Sequence, residues 1–133
     1  VAKIIDLRKE QNKKKVKIPK LAEILIESVF VSLKQFFIKE FQFHPTRQWR
    51  ADYCLPNLKI LIELEGGVFG FGKKNSIMGG HNRGKGYIQN LEKYNAATIE
   101  GYKVLRYANV KIEETKGQCV IDDLKKYLEK VAG

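Results

Sequence analysis

Arg50-Ala51-Asp52-Tyr53-Cys54-Leu55-Pro56-Asn57-Leu58-Lys59-Ile60-Leu61-Ile62-Glu63-Leu64-Glu65-Gly66 is the stretch from which the architecture can be read. Gln48 to Cys54 alternates, with Trp49, Ala51 and Tyr53 on one side and Arg50, Asp52 and Cys54 on the other. Pro56-Asn57 is a turn signal, and Leu58–Glu65 alternates again. Leu58, Ile60, Ile62 and Leu64 form one apolar face of that second run; Lys59, Leu61, Glu63 and Glu65 form the other. Two strands joined by so short a turn are expected to be antiparallel neighbours. The pairing brings Asp52 towards Glu63 and Glu65.

Outward from this hairpin the pattern changes period. A helix is expected from Pro19, in its first turn, to about Glu40, with Leu21, Ile24, Leu25, Ser28, Val31 and Ser32 facing inward and Val29, Leu33 and Phe36 widening that face. Phe41-Gln42-Phe43 alternates as a further short strand, and His44-Pro45 breaks it. After the hairpin, Gly66 to Gly86 holds eight of the eleven glycines and reads as a long loop. Tyr87 to Glu100 then reads as a helix stopped by Gly101, with Tyr87, Ile88, Leu91, Tyr94, Asn95 and Thr98 inward. Lys103–Tyr107 is a strand and Ile121–Val131 a closing amphipathic helix. This order predicts an α/β fold with a mixed central sheet flanked by helices. Residues 1–18, with Lys13-Lys14-Lys15, read as a basic arm or a solvated terminus, and residues 19–133 as a single domain.

The chain has 133 residues, 25 Lys+Arg against 15 Asp+Glu, and a formal charge of +10. Its apolar content of 44% excludes wholesale disorder. A cationic surplus of this size favours phosphate-bearing partners through counterion release, without separating DNA from RNA. Cys54 and Cys119 have no Cys or His at zinc-site spacing, and no disulfide framework is expected. No apolar run approaches the ~20 residues of a membrane span, and no signal-peptide core is visible. A reducing cytoplasmic setting is expected, phage or mobile-element origin included. The chain begins at Val1, which leaves room for upstream residues.

Carboxylates gathered on the sheet of a cationic protein call for a cation or for pairing with side chains such as Arg50, Lys59 and Lys103. Close acids repel, and one takes up a proton unless a cation intervenes. Mg²⁺ or Mn²⁺ suits such oxygen ligands and binds phosphate as well. It lowers the pKa of an attacking water and neutralises charge on the transition state.

Arg50-x-Asp52, Pro56, the apolar strand, Glu65-Gly66 and Gly101-Tyr102-Lys103-Val104-Leu105-Arg106 resemble the PD-(D/E)XK, restriction-endonuclease-like superfamily. The likeness is nearest to Vsr-like and small phage-type endonucleases and covers residues 21–107. It implies an αβββαβ core and metal-dependent DNA hydrolysis on duplex or branched DNA, by a monomer or homodimer with no small-molecule cofactor. It implies Asp52 as central metal ligand, Glu63 as the acid of the (D/E)XK triplet, Glu65 as a further ligand, and Glu27 as the acid from the first helix, with Glu23 the weaker alternative. Glu65 stands where that family commonly has lysine, and the zinc-binding cysteines of Vsr proteins are absent.

His81-Asn82-Arg83-Gly84-Lys85-Gly86-Tyr87 places an imidazole, a guanidinium and an ammonium at a helix start, where backbone N–H groups favour anions. His81 is either a general acid–base or structural. Arg83 and Lys85, with Lys73, Lys74, Arg50 and Asn95, are the expected nucleic-acid contacts; Asn95 alternatively serves core hydrogen bonding. Lys93 is expected to point away from the sheet, and Trp49 to be core. The competing readings are a Mg²⁺-dependent endonuclease, a catalytically inactive nucleic-acid-binding module on the same fold, and the catalytic domain of a larger homing or repair enzyme.

Overall fold

The computed structural model describes residues 18–66 and 80–133, with the side chains of 80–85 left out. Helix α1 spans Leu21–Ser32, strand β1 Ile38–Gln42, β2 Arg50–Leu55 and β3 Ile60–Glu65. Helix α2 (Gly80–Ile99), strand β4 (Lys103–Ala108), and helices α3 (Asn109–Thr115) and α4 (Gln118–Ala132) follow. The sheet has the order β1-β2-β3-β4. β1/β2 and β2/β3 are antiparallel, and β3/β4 is parallel, as the crossover through α2 requires. The fold is α/β, a four-stranded mixed sheet flanked by helices.

The two sheet faces have separate cores. On one, Ala22, Ile26, Val29 and Phe30 of α1 meet Tyr53, Leu55, Ile60 and Ile62, together with Ile112, Val120 and Leu124 from α3 and α4. On the other, Ala97 of α2 meets Ala51, Cys54, Leu61 and Phe43. The expected alternation of β3 holds: Ile60 and Ile62 face α1, and Leu61 faces α2.

Several expectations are corrected. α1 starts after Pro19, with Lys20 as its N-cap. It ends at Ser32 rather than near Glu40 because Lys34 adopts φ 54°. There the Lys34 N–H reaches Val31 O at 3.0 Å and the Gln35 N–H reaches Phe30 O at 2.8 Å, a Schellman stop without glycine. The released residues allow β1 to begin at Ile38. The buried face of α1 is Ala22, Ile26, Val29 and Phe30, whereas Leu21, Ile24 and Val31 are exposed. With apolar side chains almost all round, the sequence period could not pick the face.

The hairpin turn is longer than two residues. Leu58 N–H bonds Leu55 O and Lys59 N–H bonds Pro56 O, with Lys59 at φ 55°. α2 begins at Gly80, so His81–Gly86 lies inside its first turns. α3 was not expected from the sequence. A tight junction joins it to α4: a Cβ on Gly117 would come within 2.8 Å of Val29 Cγ2, and that residue's φ of 84° also suits glycine. No described helix is long and apolar enough to cross a membrane.

Candidate functional site

β2 and β3 part company at Asp52. Their ladder ends with Tyr53 opposite Ile62. Beyond it, Asp52 Oδ2 accepts the Leu64 N–H at 2.7 Å, so a side-chain carboxylate satisfies a backbone donor left by the parted strands. Glu63, on β3, is 9% exposed and is the buried charged residue of the described core.

Lys93 of α2 donates to Glu63 Oε1 at 2.5 Å, and the side chains of the pair are 15% and 12% exposed. Burial pushes the Glu63 carboxyl above its ordinary value; Lys93 pulls it back, and the negative charge of Asp52 adds to the rise. Burial prevails, so the Glu63 carboxyl stays above its ordinary value even with the Lys93 ammonium opposing the rise. Tyr94 is half-buried beside the pair, with its phenol pushed up by burial and by Glu63. The sequence expectation for Lys93 is therefore overturned. The inward line of α2 runs through Lys93, Tyr94 and Ala97, whereas Tyr87, Ile88, Leu91, Asn95 and Thr98 are exposed. Apolarity misled here because the buried residues of this line are small or charged.

The other predicted acids are placed differently. Glu65 is paired with Arg106 of β4, both half-exposed, and Arg106 also stacks 4.5 Å from the Tyr94 ring centroid. Glu27 is engaged structurally: its Oε2 accepts from Tyr53 Oη at 2.8 Å and meets Lys39 Nζ at 3.0 Å. Glu23, one turn earlier, is the α1 acid that borders Asp52. It lines a cleft of about 350 Å³ with Pro19, Lys39, Glu40, Asp52 and Tyr53. It also lines a smaller one of about 170 Å³ with Lys20, Asp52, Leu64, Gly66 and Asn109. Of the two α1 acids, Glu23 is the one that lines these clefts with Asp52. Its signal was the i, i+4 relation to Glu27, which puts both acids on one helix side.

Asp52 and Glu63 come together, while Glu27 and Glu65 are held by other partners. Among the described residues, no group of three or more His, Cys, Asp or Glu side chains is placed to hold a metal ion. Of the four expected ligands, Glu27 is paired with Lys39 and Glu65 with Arg106. The remaining donor set still suits Mg²⁺, which commonly uses one or two carboxylates and completes its shell with waters and phosphate. Asn109, at the start of α3, supplies a neutral oxygen: its Oδ1 is buried without a hydrogen-bond partner among the described residues.

Arg50 is exposed at the start of β2, on the Asp52 end of the sheet. Arg47 lies over Trp49 at 4.4 Å and pairs with Glu92 at 3.6 Å, linking the β1–β2 loop to α2. Trp49 packs with the Ala97 core, as expected. His44 accepts backbone N–H bonds from Thr46 and Arg47 through Nδ1, a turn role. Lys59 and Lys103, weighed as partners of the acids, instead serve Glu100 O and Tyr127 Oη. Lys73 and Lys74 lie outside the described residues, as do the side chains of His81, Arg83 and Lys85 and the arm through residue 17. No family model matches the chain, and comparison with curated proteins and with solved structures gives no significant match, so the site must be read from its own chemistry.

Proposed function

We propose that this protein is a Mg²⁺- or Mn²⁺-dependent endonuclease of the restriction-endonuclease-like kind, hydrolysing DNA phosphodiester bonds at the Asp52–Glu63 fork. One observation carries the reading: a buried carboxylate, a second carboxylate on the neighbouring strand and a partly buried ammonium converge where two strands separate. In this reading Asp52 and Glu63 hold the cation, and Glu23 lines the clefts on the Asp52 side. Bound there, the cation would supply charge neutralisation and a more acidic water. Lys93 does the work of the lysine missing two residues after Glu63: its charge favours the carboxylate form of Glu63 and it offers N–H donors to a phosphate oxygen. The +10 charge favours the polyanionic substrate.

The test is plasmid nicking with Mg²⁺, with Mn²⁺ and with EDTA, comparing wild type, Asp52→Asn and Lys93→Met. Metal-dependent cleavage should fall to background in Asp52→Asn and by roughly 10²–10³-fold in Lys93→Met. Cleavage that survives Asp52→Asn would falsify the site. A second reading has its own support, because Glu63, Glu65 and Glu27 each already have a protein cation. That pattern also fits a binding module on this fold without catalysis, and retarded but uncut DNA at every metal condition would select it.

A further inference from the structure

The pleat of the β1–β2 hairpin reverses at one point. Phe41, Phe43, Trp49 and Ala51 face the Ala97 core, and so do Ile38 and Cys54. Ile38 to Phe41 and Ala51 to Cys54 are odd steps, which regular strands send to opposite faces. Lys39 and Tyr53, between them, face α1. Yet the register is unchanged on either side: Ile38 pairs with Cys54 and Lys39 with Tyr53, then Phe41 with Ala51 and Gln42 with Arg50. No residue is inserted, so this is not a two-against-one bulge. The ladder skips one pair, Glu40 and Asp52, and Glu40 has φ 49°.

We infer that Glu40 is a positioning residue whose left-handed backbone turns the hairpin by one pleat and so delivers the Asp52 carboxylate to the strand fork. The chain of cause is local. A left-handed residue reverses the side-chain alternation of β1, and β2 follows because it stays in register. Continuing the Tyr53–Ile62 register would set Ala51 opposite Leu64, with backbone closing the ladder. Instead the Asp52 carboxylate takes the Leu64 N–H, and the strands open beside Glu63. Glu40 and Asp52 both line the larger cleft, so the turned pair is at the candidate site itself. The inference rests on the proposed function only in naming Asp52 as the cation's ligand; the bond to Leu64 stands apart from it.

Two substitutions separate backbone from carboxylate. Glu40→Gly discards the side chain but keeps the left-handed conformation easy. Glu40→Val opposes that conformation, since a β-branched residue resists positive φ. Hydrogen exchange at the Leu64 amide is the readout, with the Ile62 amide as a control for global folding. Leu64 protection should match wild type in Glu40→Gly and fall by about tenfold or more in Glu40→Val, with Ile62 unchanged. The melting temperature of Glu40→Gly should equal or exceed that of wild type. Cleavage should be lost in Glu40→Val together with Leu64 protection. Leu64 protection kept in Glu40→Val, or a Glu40→Gly protein that melts below wild type, overturns the inference. Should Glu40→Val fail to fold, Leu64 protection and melting in Glu40→Gly decide alone. A wild type that cuts nothing defeats the nuclease reading but leaves the exchange result to judge Glu40.

Discussion

Replacing Lys93 by Met keeps the bulk of the side chain and removes its charge from beside Glu63. Breaking a fully buried ion pair by removing one partner costs about 3–5 kcal/mol. The Lys93 and Glu63 side chains retain 15% and 12% exposure. Some water therefore remains, and about 2–3 kcal/mol is expected near pH 7. The loss depends on pH, with a defined sign. Glu63 is already raised in the folded protein, so its contribution to stability is fully present below the ordinary carboxylate range and is lost as pH rises through the folded value. Without Lys93 the folded value rises further, because the group opposing burial has gone. The gap between Lys93→Met and wild type should therefore be smallest below the ordinary carboxylate range and grow as pH rises through the folded value, by no more than about 1.4 kcal/mol per pH unit for one proton. Urea denaturation in EDTA at three pH values measures it. Adding Glu63→Gln to Lys93→Met should remove most of the loss and its pH dependence, giving a coupling energy of about 2 kcal/mol. A Lys93→Met protein as stable as wild type at pH 7, or equally destabilised at all three pH values, would refute the account of Glu63.

Asp52→Asn keeps an oxygen for the Leu64 N–H, so urea melts should show a loss within about 1 kcal/mol, whereas Asp52→Ala orphans that donor and should cost about 1.5–3 kcal/mol. Both should abolish nicking, which separates the chemical role of Asp52 from its structural one. Glu27→Gln still accepts the Tyr53 hydroxyl and should leave cleavage within a few-fold of wild type, while Glu23→Gln should raise the Mg²⁺ concentration needed for half-maximal rate. The opposite ranking in a metal titration would restore Glu27 as the α1 acid. Arg106→Gln breaks a half-exposed pair with Glu65 and should cost less than about 1 kcal/mol in the same melts, fading in high salt.

In the hairpin, alternation and a proline turn made β3 legible, but β2 departs from its expected alternation: Tyr53 faces α1 while Trp49 and Ala51 face α2. Leu58, Ile60, Ile62 and Leu64 do face one side, and Asp52 does meet Glu63. The partner of Glu63 was hidden because helix faces are read from apolarity. The line of α2 that meets the sheet is Lys93, Tyr94 and Ala97, while its larger apolar residues Tyr87, Ile88 and Leu91 are exposed. A buried charge reverses the usual signal: Lys93 is inward because Glu63 is there to receive it. The two acids of α1 could not be told apart for a similar reason. Glu23 and Glu27 share a helix side, and only tertiary neighbours distinguish them; Lys39 and Tyr53 take Glu27. The end of α1 was invisible since its left-handed stop is a lysine, where sequence rules look for glycine.

Four described residues other than glycine have positive φ: Lys34, Lys59, Lys116 and Glu40. Three of them have a local reason. Lys34 and Lys116 end helices, where the backbone N–H groups that follow the last turn recover its carbonyls. Lys59 completes the turn between β2 and β3, and its carbonyl accepts from Lys103 N–H at 3.0 Å. Glu40 differs, because it lies inside a strand where the same conformation interrupts a ladder instead of closing one. Nothing in the turn chemistry of β1 calls for it. What the interruption produces is the altered course of Asp52, one strand away, and its bond to Leu64 beside the buried Glu63. A local rule broken without local compensation points to a demand made elsewhere in the fold, and strained backbone of this kind concentrates where side chains must be held for chemistry. The position of Glu40 thus bears on function independently of the acids themselves: it is why a regular hairpin, which would have turned Asp52 with its own pleat, is not the hairpin this sequence forms.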